Sequence, residues 1–500
     1  MAMSSATVAL SRFGLGARRD EAIPADPRSW LADQFDAYDP RPAAIAAAPA
    51  RREVAQQLAD YFAEVRVEGG GQQQRRRRSA PAPAMAEPAM GTEPNMAAAM
   101  QDERLAGLPD SARKFVRKAG REHYLGAVAA RTNTALTTQT PFVERLVHFW
   151  ANHFAVSADK LTVIGMAGLL EFEAIRPHVL GRFGDMLLAV ETHPAMLLYL
   201  DQAQSIGPDS RLGRIAAARG RRKAGLNENL AREILELHTL GVRTGYAQED
   251  VTEFARALTG WTVAGLTRGP AARALGGGGA PGDFHFAQAI HQPGGRRILG
   301  KTYGQEGEAQ GPAILADLAA HPSTARHLAT KLARHFAGDV PPPALVERLS
   351  AAYLKSGGDL PTLYRVLIDA PEIWAAAAPK FKSPWDWSVS ALRGLGTREI
   401  QGQAAAGLLL QLGQPVWRPG SPAGFDDIAP SWAGPDALVR RVEAAERMAS
   451  RAGDALDARL LAPKLLPGSV GAATAQAIAR AESPGQGLAL LLVSPEFLRR

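Results

Sequence analysis

The chain contains no cysteine among its 500 residues. That absence excludes disulfide staples, a thiolate nucleophile and sulfur ligation of zinc, so any metal must be held by nitrogen and oxygen. No apolar run reaches the length of a membrane-spanning helix. Residues 1–12 lack a charged start followed by a long apolar stretch, so no secretory signal is expected. The cytoplasm is therefore the default compartment, and a cysteine-free chain also suits the periplasm. The motifs that declare a chemistry are missing too: there is no phosphate-binding loop, no dinucleotide fingerprint, no Gly-x-Ser-x-Gly elbow and no Cys-x-x-Cys pair. Aromatic residues make up only 6% of the chain, but 46% hydrophobic content over this length permits two or three domains with sizeable cores.

An excess of one charge sign is nearly absent as well, since 57 Lys and Arg face 50 Asp and Glu. The surplus is spread thinly. Its one dense block, Arg75 to Arg78, sits in low-complexity sequence without aromatic residues to stack on bases, and reads as a solvated linker patch. Nucleic acid is not a favoured partner.

What is present is helical periodicity. At about 100° per residue, the run 227–242 places Leu230, Ala231, Ile234, Leu235, Leu237 and Val242 on one arc and Asn229, Arg232, Glu233 and Glu236 on the other. Glu228, Arg232 and Glu236 follow at four-residue steps, the spacing of an ion-pair ladder. Asn227 and His238 intrude on the apolar arc, where a polar group loses water and needs a partner. A second helix starts at Thr140, a cap candidate, and Pro141. Its apolar arc carries Leu146, Phe149, Trp150 and Phe154 together with His153, while Glu144, His148 and Asn152 form a stripe on the other side. His148 and His153 point roughly 140° apart, so this is not the two-histidine helix of a zinc protease.

A third histidine group follows. Alternating Phe284 and Phe286, a Pro-Gly-Gly turn and Arg297-Ile298-Leu299 read as two short strands joined in one hairpin carrying His285 and His291. Each histidine has a plain structural reading as a satisfied core or surface residue. The functional alternative brings His285 or His291 against His153 and His238, with His291 the choice for the metal set, so that three nitrogen ligands and a carboxylate from distant segments hold a divalent metal.

The expected fold is all-α, a mostly helical array of many helices with one small β-hairpin insertion. It divides into a helical segment 1–66, a low-complexity insert 67–106, a helical core 107–261, a Gly-rich loop and hairpin 262–304, and a helical region 305–500. Three apolar helices run into prolines, at Pro194, Pro371 and Pro495, each read as a break followed by a new helix.

The stretch 227–242, followed by Tyr246, Val251-Thr252 and Ala255 to Trp261, together with Phe149-Trp150-Ala151-Asn152-His153-Phe154, resembles the bacterial family catalogued as domain of unknown function 1800. Tyr199 to Ser205, His291 to Gly300, Phe381-Lys382-Ser383-Pro384, Gly413-Gln414-Pro415 and Ser421-Pro422-Ala423-Gly424-Phe425 extend the match over nearly the whole chain. The resemblance implies a large, mostly helical bacterial protein, often encoded beside a sulfatase-like family that becomes a candidate partner. Gln292 stands where an aspartate is common in that family and Arg296 or Arg297 where a lysine is common, which argues against a metal held by a His-Asp pair there.

Two readings follow. The favoured one is an enzyme in which His153, His238, Asn152, Arg232, Glu233 and Glu236 perform acid–base or metal-assisted, hydrolytic chemistry. The other is a helical scaffold that binds a partner and uses the same groups to lock helices together.

Overall fold

The computed structural model describes residues 3–76, 114–219, 225–266, 279–375 and 380–500. Most of the 67–106 insert, with its arginine block beyond Arg76, and Gly276 to Gly278 of the glycine run lie outside these residues. The helix Arg51–Arg76 runs ten residues past the boundary set at 66. The described chain is mostly helical, as the periodicity predicts.

The expected small β-hairpin insertion is present, as one of two small two-stranded antiparallel sheets, but its strands pair differently from the sequence reading. Strand β1 (Trp261–Val263) pairs with β2 (Phe284–Phe286), Thr262 standing opposite His285. Strand β3 (Arg296–Ile298) pairs with β4 (Lys301–Tyr303) across Leu299 and Gly300, both at positive φ. The Pro-Gly-Gly turn joins neither pair. Two-residue connections with φ above zero match strand twist best, and Leu299-Gly300 supplies one, whereas the alternation around Phe284 is completed by a distant strand.

One continuous apolar core runs from Val8 to Leu498 and draws on the segments 1–66, 107–261, 262–304 and 305–500. At its centre the rings of Phe13, Phe142 and Phe336 meet at 5.3–5.8 Å between centroids. They tie the segment Val8–Phe13 to the helices Pro141–His153 and Pro322–Ala337. Each pair of this kind contributes about 0.5–1.5 kcal/mol beyond its buried area.

The helix Pro141–His153 is buried on nearly every side, only Ala151 and Asn152 being partly exposed. Its cap differs from the sequence reading: Thr140 makes no capping bond, and Gln34 of the helix Pro27–Ala37 accepts the Phe142 N–H at 2.8 Å instead. Asp26 caps its own helix as its position before Pro27 predicts, accepting from Arg28 and Ser29. The breaks at Pro194 and Pro371 each open a new short helix, whereas Ser494-Pro495 leads only into a turn. The helix Pro384–Gly394, capped by Ser383, is buried along its whole length. Residues 380–382 run antiparallel to the chain end, Lys380 and Arg500 exchanging backbone bonds at 2.9 and 2.7 Å.

Candidate active site

Between the helices Pro141–His153 and Pro322–Ala337, the start of Pro384–Gly394 and the irregular segment 414–428 lies a cavity of about 490 Å³. His148, His153, His327, His335, Lys331 and Arg334 stand on its wall, with Asp386 and Asp427 among them. Most of these groups were invisible as a set, because they come from stretches up to about 280 residues apart.

The Glu144–His148–Asn152 stripe runs from the protein interior at Glu144 to the cavity wall at His148 and Asn152. Glu144 is fully buried, its Oε1 2.7 Å from Arg176 Nη1 and 3.3 Å from His148 Nε2. Burial alone would raise this carboxyl, but Arg176 and His148 outweigh it and bring it down to about 2. Trp385 Nε1–H donates to His148 Nδ1 at 3.1 Å, so the proton of the neutral ring sits on Nε2, toward Glu144. Asn152 clamps a backbone: its Nδ2 donates to Phe425 O and its Oδ1 accepts from Phe425 N, both at 2.8 Å. Gly424 allows this approach, since a Cβ there would stand 2.3 Å from Asn152 O. Asn152 thereby fixes the segment that carries Asp427.

His335 Nδ1 lies 2.8 Å from Asp427 Oδ2, and its Nε2 is buried with no hydrogen-bond partner among the described residues. Burial, working against Asp427, pushes the ring down to about 4. Burial would lift the Asp427 carboxyl, but His335, Lys380 and Arg500 hold it well below the usual carboxylate range. Asp386 is fixed in the same way, by Arg145 at 2.9 Å and Arg500 at 3.0 Å. Trp417 takes φ 48°, a backbone that costs a bulky residue about 1–3 kcal/mol and that clusters at functional sites. Its indole N–H donates to Glu171 at 2.9 Å, its carbonyl accepts from Ala158 at 2.8 Å, and the Arg131 guanidinium lies over both its ring and that of Trp385.

The two histidines flagged from sequence are both buried and adjacent, their ring centroids 6.1 Å apart. His153 Nε2 donates to the carbonyl of His238 at 3.1 Å, which matches the plain reading of a satisfied core histidine, while its Nδ1 has no partner among the described residues. Burial, reinforced by Lys331, holds this ring well below its ordinary value, hence neutral. His238 sits behind it, off the cavity wall, with Nδ1 2.7 Å from the buried Glu191. Asn227 caps from outside the helix, bonding Leu200 O and the Asn229 N–H.

The other sequence-predicted residues are not brought to this place. Arg232 forms the expected ladder with Glu228 at 3.1 Å and Glu236 at 3.6 Å, partly exposed and away from the cavity. Glu233 is half-buried, and burial raises its carboxyl, but it does not line the cavity either. His291 is separated from His153 and His238, donating instead to Thr259 O at 2.7 Å beside the Phe286 ring. Among the described residues no three His, Asp or Glu side chains gather as a metal-holding group. The sequence pattern does not flag His335, Asp427, Asp386 or Lys331; the nearest signals are the matches at Phe381 to Pro384, which stops short of Asp386, and at Ser421 to Phe425, which stops short of Asp427.

The fold and cavity define a mostly helical protein with a charge-lined chamber. The chain belongs to the family described as Protein of unknown function (DUF1800), whose model matches residues 8–499. No curated protein and no solved structure matches it. Among the described residues, no helix is long and apolar enough to cross a membrane.

Proposed function

We propose that the cavity is an active site for acid–base chemistry of the hydrolytic class, with His335 as general base. The His335–Asp427 pair carries the reading. Its 2.8 Å bond commits the Nδ1 proton to Asp427 and leaves Nε2 as the lone pair. With the ring neutral, Nε2 accepts a proton at pH 7. A water giving up that proton attacks the substrate's electrophilic carbon or phosphorus, Asp427 stabilises the imidazolium that results, and the bond to the leaving group breaks as the imidazolium returns the proton to it. Asn152 acts as a positioning residue through its clamp on Phe425, two residues before Asp427. His153 contributes to the wall, and the strained Trp417 backbone at the same wall supports a functional role for the chamber.

The test is turnover of a panel of nitrophenyl esters, phosphates and glycosides by the parent, His335→Gln and Asp427→Asn. The expected result is activity in the parent and a loss of about 10²–10⁴-fold in either variant with circular dichroism unchanged. Equal rates in parent and variants overturn the assignment of His335. A parent inert on the whole panel that co-purifies in a stoichiometric complex with a sulfatase-like neighbour overturns the enzyme reading in favour of the scaffold.

A further inference from the structure

The charges on the cavity wall do not balance, and the imbalance names a class of ligand. Each carboxylate deep in the wall is already satisfied: Asp386 by Arg145 and Arg500, and Asp427 by His335 at 2.8 Å, Lys380 at 3.1 Å and Arg500 at 3.7 Å. Asp426 lies at the exposed edge, accepting from Ser431. Two of the wall's cations are also satisfied, Arg131 by Glu171 at 3.0 Å and Arg145 by Asp386. Lys331 and Arg334 are not. Neither side chain has an ion-pair or hydrogen-bond partner among the described residues, and Arg334 Nε is a buried donor left empty-handed.

Their placement is not incidental to the helix. Lys331 and Arg334 are three residues apart on Pro322–Ala337, so their side chains emerge about 5–6 Å from each other on one face. His327, one turn earlier on that face, spends its Nε2 on Leu237 O at 3.0 Å. Both side chains are only partly exposed, and two neighbouring cations without a counter-charge give this stretch of wall a positive potential that draws an anion into the chamber. Consistent with that, burial brings the Lys331 amine down to about 8, with Asp427 opposing and Arg334 adding to the shift.

We propose that the substrate is a small molecule bearing an oxyanion group, and that Lys331 and Arg334 hold that group. The inference rests on the chamber being an active site, but it concerns binding and is read without turnover. The groups around Lys331 that bear on its charge are His327, Arg334 and His335 on its own helix, His153 on the neighbouring one, and Asp426 and Asp427 on the segment 414–428. The rings of His153, His327 and His335 are held neutral by burial.

Inorganic phosphate titrated calorimetrically into the full chain, with ionic strength held constant by chloride, tests it. The parent is expected to give a saturable one-to-one isotherm that weakens as pH rises through about 8, where Lys331 releases its proton. Lys331→Met and Arg334→Gln should each weaken binding at least about 10-fold, while Lys331→Arg keeps it. The exposed Arg326→Gln, paired only with Glu347, should leave binding as in the parent. His335→Gln should also still bind, which separates this inference from the assignment of the base. No saturable phosphate heat in the parent, or unchanged affinity in a folded Lys331→Met, overturns it.

Discussion

Glu144 carries a charge that protein surrounds on every side. It is fully buried, and its charge is tolerated because Arg176, itself only 1% exposed, sits 2.7 Å away. A glutamine keeps the shape and removes the charge, leaving the guanidinium without a counter-ion in a site water does not reach. Glu144→Gln is therefore expected to destabilise the fold by about 3–5 kcal/mol, read from urea unfolding, whereas a loss under about 1 kcal/mol would mean that Arg176 finds another anion. At this scale the sequence was partly legible. A histidine among apolar neighbours announces burial, and His153 and His238 are indeed buried. Their partners were not legible, because Glu191 ends the apolar helix Phe183–Glu191 and nothing local distinguishes it from a solvated glutamate.

The helix that begins at Asn229 shows how elements impose roles on residues. It widens into a π-turn over Ile234–His238, and its last carbonyls point at neighbouring helices rather than at water. Helix ends leave such carbonyls without partners. Here His327 takes that of Leu237 and His153 that of His238, so two imidazoles from two other helices cap one helix end. Gly241 closes the turn, its N–H reaching Leu235 O at 3.2 Å with φ at 95°, the positive-φ glycine that commonly ends a helix. A Cβ there would also stand 3.0 Å from His327 Nδ1. Gly241→Val should cost about 1–3 kcal/mol through backbone strain, a drop that thermal unfolding resolves; a variant melting with the parent would show that the turn adopts another backbone. The strand partners within the β insertion and the surroundings of the polar stripe escape the pattern for one physical reason. Periodicity reports which residues differ along an element, and it is silent on whether the polar side meets solvent, a distant strand or an internal chamber.

On the scale of the whole molecule, the all-helical class and the family were legible because periodicity and short matches recur along the entire chain. The site was not, since the chamber is assembled from Pro141–His153, Pro322–Ala337, Ser383 to Asp386, segment 414–428 and, behind it, Arg500. One global property follows from that assembly. Burial lowers His148, His153, His327 and His335 below their ordinary value of 6.5, the last two to about 4. These rings stay neutral when folded but take up protons near pH 6.5 once unfolded. Between about 6.5 and 4 the unfolded chain therefore binds more protons at His327 and His335, and stability falls with falling pH by up to about 1.4 kcal/mol per pH unit for each of those two rings, with His148 and His153 acting in the same direction. Below 4.5 Glu144 extends the loss, because its folded carboxyl holds its charge down to about 2 while the unfolded one protonates. Urea midpoints from pH 7.5 to 4 should thus decline steeply from the first unit below 6.5, before carboxylates titrate, and ring-proton NMR shifts at pH 5.5 should still report neutral imidazoles. A flat profile down to pH 5 would place those rings in contact with water, and the acid–base reading of the chamber would lose its physical basis.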